Sequence, residues 1–585
     1  MARPLYIDGK LPMKMFRNKG YIYAVTRTSV KKENGKYNHP MEIWGRIDDE
    51  TNFYPNEKFW NLSQEKRDEI LIPKTWNIIP QEDSKPLSFR NPSTEDGCNC
   101  TNLLYGENYF LDLLSEKIHL KNDLQLTFND KETTNKLLTL AFYNLFNSNP
   151  YNGLEFAQKN IWFPSETILR PCDITRLTQS ISEEHIKRFL ELRKSHYDDK
   201  EWFCIDTTSI TYLGDSLAEA HFGKNKEHDK GKQINLLIVY SISTGLPVFY
   251  RKLPGNIPDT RTMRVTLELL KRLGFEKLKL VFDRGFVSDE VLEYLIKNNH
   301  KFIMMVKTGT KQIANKIKEL GFSGLNNPDN WLNDHNLFGH DYPFSFDITV
   351  NGKKRAVKNL RMGIFHSAAR YSNASSRING NIADSRIILT EACKDKRVLS
   401  SEDYDTASKY FKITTSKNNV IKSFSLKEEV QDEILNDSCF SIITNIVKKN
   451  LSLNMVLETY DCRNQQEDSF MFIKSEQGGR RLRASTEDGA DGRIFIQFLS
   501  LILNSLIFKT YKESPVLQKL FTSRKNILAE LRSIRRIAYP KKAVIVTDIV
   551  GSQVDIFREF KLAVPTKLLP KSIRKSYLDS IKEEK

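Results

Sequence analysis

The sequence predicts an α/β protein: a mixed sheet with helices on its faces, between a small strand-bearing N-terminal module and a basic C-terminal tail. Three observations carry that reading. Five short apolar runs (FCIDTTSI, INLLIVYSI, LPVFYRKLP, KLKLVFDRGF and KFIMMVK) follow one another from Trp202 to Lys307, with helical stretches at 260–273 and 288–298 before the fourth and fifth. Hydrophobic residues make up 39% of the chain and aromatics 11%, enough to build sizeable cores and too much for a wholly disordered chain. The length, 585 residues, implies two to four domains at roughly 100–200 residues each.

Each segment has its own signal. In the N-terminal module, 1–100, residues 21–30 alternate as a strand, ENGKYN offers an Asn-Gly turn, and 41–47 supply the return strand. Residues 51–100 then turn irregular and rich in Asn and Pro. Helical periodicity dominates 101–197, in NKLLTLAFYNLF and in SEEHIKRFLELRKSHY, where Ser182 to Glu184 can cap the helix. The mixed sheet occupies 198–310. Residues 311–437 read as a strand-rich insertion, in which FDITV-NG-KKRAV forms a hairpin that RMGIFHS and RIILTEA extend. In 438–515, SCFSIITN is one more buried strand, followed by a helix over about 455–475 and an apolar helix over about 493–511. The tail, 516–585, is punctuated by Pro540, Pro565 and Pro570 but has helical spacing in KNILAELRSIRRIAY.

Charge narrows the function. The formal net charge is +16, and residues 510–585 hold 17 Lys and Arg against 8 Asp and Glu. Such an excess calls for a polyanionic partner, either nucleic acid or an anionic membrane surface. The longest greasy stretch, 494–508, is interrupted by Gln497, Ser500, Asn504 and Ser505. A spanning helix needs about 20 apolar residues, so the membrane alternative falls away. The opening MARPLYIDGK has no apolar core of a secretory signal, and seven cysteines are too few and too scattered for a disulfide framework. A cytoplasmic, DNA- or RNA-directed protein is the expectation.

Two carboxylates stand out. Asp206 ends the first apolar run, before Thr207, Thr208 and Ser209; Asp283 ends the fourth, before Arg284 and Gly285. An Asp at a strand terminus usually caps a turn. Two of them on neighbouring strands of a basic chain point instead into the crevice where α/β sheets bind ligands. Paired carboxylates hold Mg²⁺ through oxygen, and two such ions can clamp the attacking and leaving oxygens of a phosphodiester. A third carboxylate is offered by the helix at 455–475. At about 100° per residue, Tyr460, Arg463, Glu467 and Lys474 share one face about 60° wide, while Asp468 points away. A polar face usually means solvent, but phenol, guanidinium, carboxylate and ammonium together suit a site of phosphates and metal.

These residues carry a family resemblance. The Tyr460, Arg463, Glu467 and Lys474 spacing is that of the Tyr-x2-Arg-x3-Glu-x6-Lys signature, and the chain resembles the DDE transposases of bacterial insertion sequences that bear it. FCIDTTSI, LPVFYRKLPGNIPDTRTM, LVFDRGFVSDEVLEYLIKNNHKFIMMVK and DGRIFIQFLSLIL extend the match over about 200–310 and 438–510. The resemblance implies an RNase H-like mixed sheet with Asp206, Asp283 and Glu467 as metal ligands for two Mg²⁺ ions, Mn²⁺ being able to substitute. It implies that Tyr460, Arg463 and Lys474 grip DNA; Arg480, Arg481 and Arg483, after Gly478-Gly479, are expected from their charge to reach phosphates instead of forming only a solvated loop. The implied partners are double-stranded DNA, as element ends and as target, and a second copy of the chain in a synaptic complex. The implied place of action is the bacterial cytoplasm, at the nucleoid. The 311–437 insertion would separate the second and third ligands, the helical region 101–197 would bind DNA ends, and the basic tail would add phosphate contacts.

Two other functions stay open on the sequence: a non-catalytic or degenerate DNA-binding protein, and an RNase H-like nuclease without strand transfer. The route of cleavage, through a DNA hairpin or otherwise, is open as well. Other motifs carry less. Cys98 and Cys100 lack a second pair at zinc spacing, and His221 and His228 lie in a basic loop better suited to lining a DNA channel than to holding metal. Gly478-Gly479 lacks the Lys-Ser/Thr of a nucleotide-binding loop.

Overall fold

The structure is a computed structural model. It describes residues 6–7, 9–18, 21–31, 37–48, 51–79, 100–146, 151–198, 201–212, 214, 217–223, 231–257, 259–463, 472, 481–482, 484–538, 544–565 and 568–569. The chain divides into two compact units, one of 1–104, 534–549 and 565–585, the other of 105–533 and 550–564.

The larger unit is built on a ten-stranded sheet. Its first three strands, Trp202–Tyr212, Gln233–Ser241 and Pro247–Pro254, form an antiparallel meander. The chain then crosses over through the helix Asp259–Arg272 to lay Lys279–Phe282 parallel to the first strand, and through the helix Asp289–Lys297 to lay Lys301–Val306 parallel to that. The spatial order of the five is therefore three, two, one, four, five. This is the RNase H-like mixed sheet. Such parallel crossovers need a helix to carry the chain back, which is why helical runs precede the fourth and fifth strands in the sequence.

The sheet does not stop there. Cys439–Thr444 pairs antiparallel with the fifth strand, and the long hairpin of Leu337–Val350 and Lys353–His366 pairs with it in turn. The hairpin turns at Asn351 and Gly352, both at positive φ, as the Asn-Gly pair demands. Its tip rests on the helix after Asp283: the Thr349 N–H donates to Asp289 at 2.7 Å, and Arg355 pairs with Glu293 at 2.9 Å. The inserted segment is thus part of the central sheet. It also holds more helix than its composition suggested. RIILTEA, expected to extend the hairpin, lies within the helix Ala368–Lys394. Ile378, Ile382, Leu389 and Ala392 are buried on it at helical spacing, and their core is completed by Tyr410, Phe411 and Ile421. The short window of β-branched residues mimicked a strand; the longer period decided the helix.

The helical region packs on the same unit through one long element. Glu487–Glu513 satisfies the length and apolarity of a membrane span, yet its residues from Ile494 to Ile507 are largely buried in the protein core. Phe498 meets Tyr250 of the third strand at 4.7 Å between ring centroids, and Phe495 meets Phe189 at 5.1 Å. Ser500 donates to the Ala141 carbonyl of the helix Lys131–Phe146 at 2.9 Å. The expected cap is present, with Ser182 accepting from the His185 N–H ahead of the helix Glu183–Lys194. A buried ion pair, Arg193 with Asp123 at 3.0 Å, ties that helix to Leu120–Phe128.

The smaller unit holds a five-stranded sheet that includes Lys14–Asn18, Tyr21–Arg27 and Met41–Asp48, over a core of Trp44, Phe53, Phe59 and Trp76. The residues of the Asn-Gly turn lie outside the described ones. Asn52–Pro55 and Asn77–Ile78 add strands where the composition looked irregular. A second sheet joins Thr101–Leu104 to Arg535–Ala538, Val544–Val546 and Leu568–Leu569. The basic tail therefore departs from continuous helix: Arg524–Leu531 is helical, and Arg535–Ala538 is a strand.

Candidate active site

Asp206 and Asp283 are brought side by side by strand register. Ile205 is paired with Phe282 in the parallel ladder of the first and fourth strands, so the two aspartates occupy the next, matching positions. Side chains alternate along a strand, so each aspartate shares a face with the residue two before it, Cys204 and Val281. Those two are fully buried beneath the helix Leu453–Asp461, in a core with Ile303, Val456, Leu457 and Tyr460. The helix thus lies on the sheet face that bears both carboxylates. Ser452 caps its start by accepting from the Met455 N–H.

The end of that helix reaches the carboxylates. The Tyr460 hydroxyl, on a residue 5% exposed, donates to Asp283 Oδ1 at 3.3 Å and lies 3.4 Å from the Met305 sulfur. Arg463, just past the helix, places Nη1 3.3 Å from Asp283 Oδ2 and 4.0 Å from Asp206 Oδ2. The two carboxylate oxygens can be no farther apart than those two distances combined. The guanidinium also lies over the Tyr460 ring, 5.4 Å from its centroid. Burial pushes the Tyr460 phenol well above its usual range, with Arg463 opposing and Asp283 reinforcing the shift. Burial works against the charge on Arg463, but Tyr460, Asp283 and Asp206 together outweigh it and hold its pKa above the ordinary value.

Backbone groups hold the aspartates as well. Asp206 accepts from the Thr207 N–H at 2.8 Å, and Asp283 from the Arg284 N–H at 2.7 Å, capping the single turn Arg284–Phe286. Asp283 therefore performs the ordinary duty of a strand-end Asp while also meeting Tyr460 and Arg463. Around it the edge is cationic. Arg284 is exposed, and exposed Lys307 follows the fifth strand at its carboxyl end, with Lys311 one turn on. Sequence reasoning passed over these cations, although KFIMMVK and DRG displayed them at strand ends.

The site fits a divalent cation by donor chemistry: two oxygen ligands on matching positions of adjacent strands, with a positive side chain already drawn between them. Among the described residues no group of three or more His, Cys, Asp or Glu could hold a metal ion. Glu467, Lys474, Arg480 and Arg483 lie outside the described residues. Arg481 adds backbone to the sheet, pairing with Thr211, and its side chain is not described. The helix expected over 455–475 ends at Asp461 with Cys462 as its cap, so Arg463 lies in a turn beyond it and not on the helix face that its spacing suggested. Tyr460, expected to grip DNA, is placed against Asp283 and the core instead of on the surface. His221 is exposed at a bridge to Gln233, and His228 and Cys98 lie outside the described residues.

The family described as "Transposase DDE domain" matches residues 198–503, just over half the chain. A cryo-EM structure of a piggyBac transposase synaptic complex with hairpin DNA is similar at 9% identity and a TM-score of 0.30, over 84% of this chain and 76% of that one, a distant likeness. No curated protein matches.

Proposed function

The chain belongs to the transposase DDE domain family, and from that premise we propose that it cuts phosphodiester bonds at the ends of its own mobile element and joins the freed 3′-hydroxyl to target DNA. The observation that carries the reading is the pairing of Asp206 and Asp283 at matching positions of adjacent parallel strands, under the helix that begins the signature. DDE domains generally use divalent metal ions. Here Asp206, Asp283 and Glu467 would hold Mg²⁺, with Mn²⁺ as a substitute. The bound ions would supply an activated water and neutralise charge developing at phosphorus.

The chain's own residues do the rest. Asp206 and Asp283, fixed by the Thr207 and Arg284 N–H groups, present their oxygens in a set orientation. Tyr460 holds Asp283 from the helix side. Arg284, Lys307 and Lys311 line the same edge and would take the phosphates flanking the cleaved bond, while Arg463 stands ready for a phosphate nearer the reacting one. Lys474, Arg480, Arg481 and Arg483 would extend that grip. Synapsis of two ends calls for a second copy of the chain, and the helical region 101–197 is the proposed reader of the ends.

The test is a supercoiled plasmid carrying the element ends, incubated with the protein and Mg²⁺. Cut and rejoined products are expected. Cuts alone would reduce the reading to a nuclease, and binding without cuts would leave a DNA-binding protein. Short inverted repeats, if found just outside the reading frame, would supply the substrate.

A further inference from the structure

Arg463 occupies a position that the mechanism leaves unexplained. A phosphate-binding arginine is expected to face DNA, yet its Nη1 is drawn to both carboxylates of the pair, and its side chain is only 13% exposed. Three features make this a built arrangement. Tyr460 supports the guanidinium from below and bonds to the same Asp283 that Arg463 approaches. Tyr460 is itself fixed in the core with Cys204 and Val281. The distances of 3.3 and 4.0 Å exceed the roughly 2.7–2.9 Å of a tight charge-assisted pair, so the guanidinium bridges the two acids without being locked to either.

We propose that Arg463 is a resident counter-cation of the carboxylate pair, which a divalent ion must displace and which a DNA phosphate draws away. The inference rests on reading Asp206 and Asp283 as cation ligands. Two carboxylates this close repel each other, and a bridging positive charge keeps them together before any ion or DNA arrives. A divalent ion seeks the same oxygens, so the two cations compete. A phosphate offers the guanidinium an alternative bidentate partner. Binding of DNA then favours cation loading, and by linkage cation loading favours DNA. The device keeps the site from holding ions firmly while no DNA is present.

The probe is Mn²⁺ alone, titrated into the DNA-free full-length protein and followed by the electron spin resonance of the free ion. Arg463→Gln is expected to bind Mn²⁺ tighter than the natural chain by about tenfold, within the usual 5–150-fold span of coupled sites. Arg463→Lys, which retains the positive charge, should stay close to the natural chain. Unchanged or weaker binding by Arg463→Gln overturns the proposal. A second measurement needs no variant of Arg463: its labelling by phenylglyoxal, read by mass spectrometry, should rise several-fold when Mn²⁺ is added and should not rise in Asp206→Asn. Labelling indifferent to Mn²⁺ also overturns it. If Asp206→Asn abolishes DNA cutting while either readout stays flat, this proposal fails and the functional reading stands. If Asp206→Asn cuts normally, the carboxylate reading fails and the proposal goes with it.

Discussion

Asp206 and Asp283 are held one residue beyond a matched pair of buried strand positions, and that placement makes their oxygens hard to replace. Asp206→Asn or Asp283→Asn keeps shape and removes a charged ligand. Losing a group one shell farther out already costs about 10–100-fold, so each should lower DNA cutting by more than about a hundredfold. Binding to element ends, measured by gel shift, should be nearly unchanged. A variant that still cuts would remove that residue from the site. Both aspartates could be picked out from the sequence, but only Asp283 stands at a strand end; Asp206, expected at one, lies inside Trp202–Tyr212, because the polar Thr207, Thr208 and Ser209 continue the ladder. The duty of Tyr460 could not be read there. Helical spacing shows which residues share a face, and only the packing of Val456 and Leu457 on Cys204 and Val281 shows what that face meets. Histidines carry a second residue-scale consequence. His300 is fully buried, its Nδ1 accepts from the Leu278 N–H at 3.2 Å, and burial, then Lys271, holds its pKa below the usual 6.5. His366 is lowered too, by burial first and then by His340. Below pH 6.5 the unfolded chain takes up protons that the native one refuses, so stability present above that pH is lost as pH falls toward the folded values. The melting temperature should therefore drop between pH 7.5 and 5.5, and His300→Gln should make the drop shallower. An equal drop in that variant would clear His300 of the effect.

At the scale of elements, the long helix Glu487–Glu513 joins the helical region to the sheet, and its fit is tightest at Gly492. A methyl group there would stand 2.1 Å from the Thr178 carbonyl oxygen and 2.8 Å from its Cα, both backbone atoms of the helix Pro171–Gln179. Backbone cannot step aside as a side chain can. Gly492→Ala should destabilise the larger unit by about 1–3 kcal/mol or more, the cost of overpacking, even though alanine is the better helix former. Urea unfolding measures it, and a variant as stable as the parent would mean that the two helices part easily. The apolar run and its buried character were legible from DGRIFIQFLSLIL, but the contact at Gly492 was not, because its partner lies more than three hundred residues earlier. The hairpin of Leu337–Val350 and Lys353–His366 was legible for the opposite reason: its Asn-Gly turn is a local signal. RIILTEA misled because a seven-residue window holds less than two full turns of the helix to which it belongs.

For the whole molecule, the governing quantity is a net charge of +16, in which Asp206 and Asp283 are already counted. The five core strands could be read from the sequence as apolar runs, with helices before the fourth and fifth, but their spatial order came from the structure. The return of 535–538 to pair with 101–104 could not be read, because nothing local marks partners more than four hundred residues apart. Positive charge at the sheet edge beside Asp283 gives a prediction for DNA binding. Each phosphate neutralised releases bound counterions, so the logarithm of affinity falls with the logarithm of salt at about 0.9 per contact on duplex DNA. A protein that grips 6–10 phosphates would lose about 10³–10⁵ in affinity between roughly 50 and 200 mM salt. A loss of that order is expected for the natural chain on any duplex of sufficient length. Replacing Arg284 and Lys307 together by Gln should reduce the slope by about two contacts and weaken all sequences alike, as expected of cations that meet phosphates and not base edges. The measurement is fluorescence anisotropy of a labelled duplex over a salt series. An unchanged slope would take both residues off the DNA path, and a loss confined to element ends would make them readers of sequence.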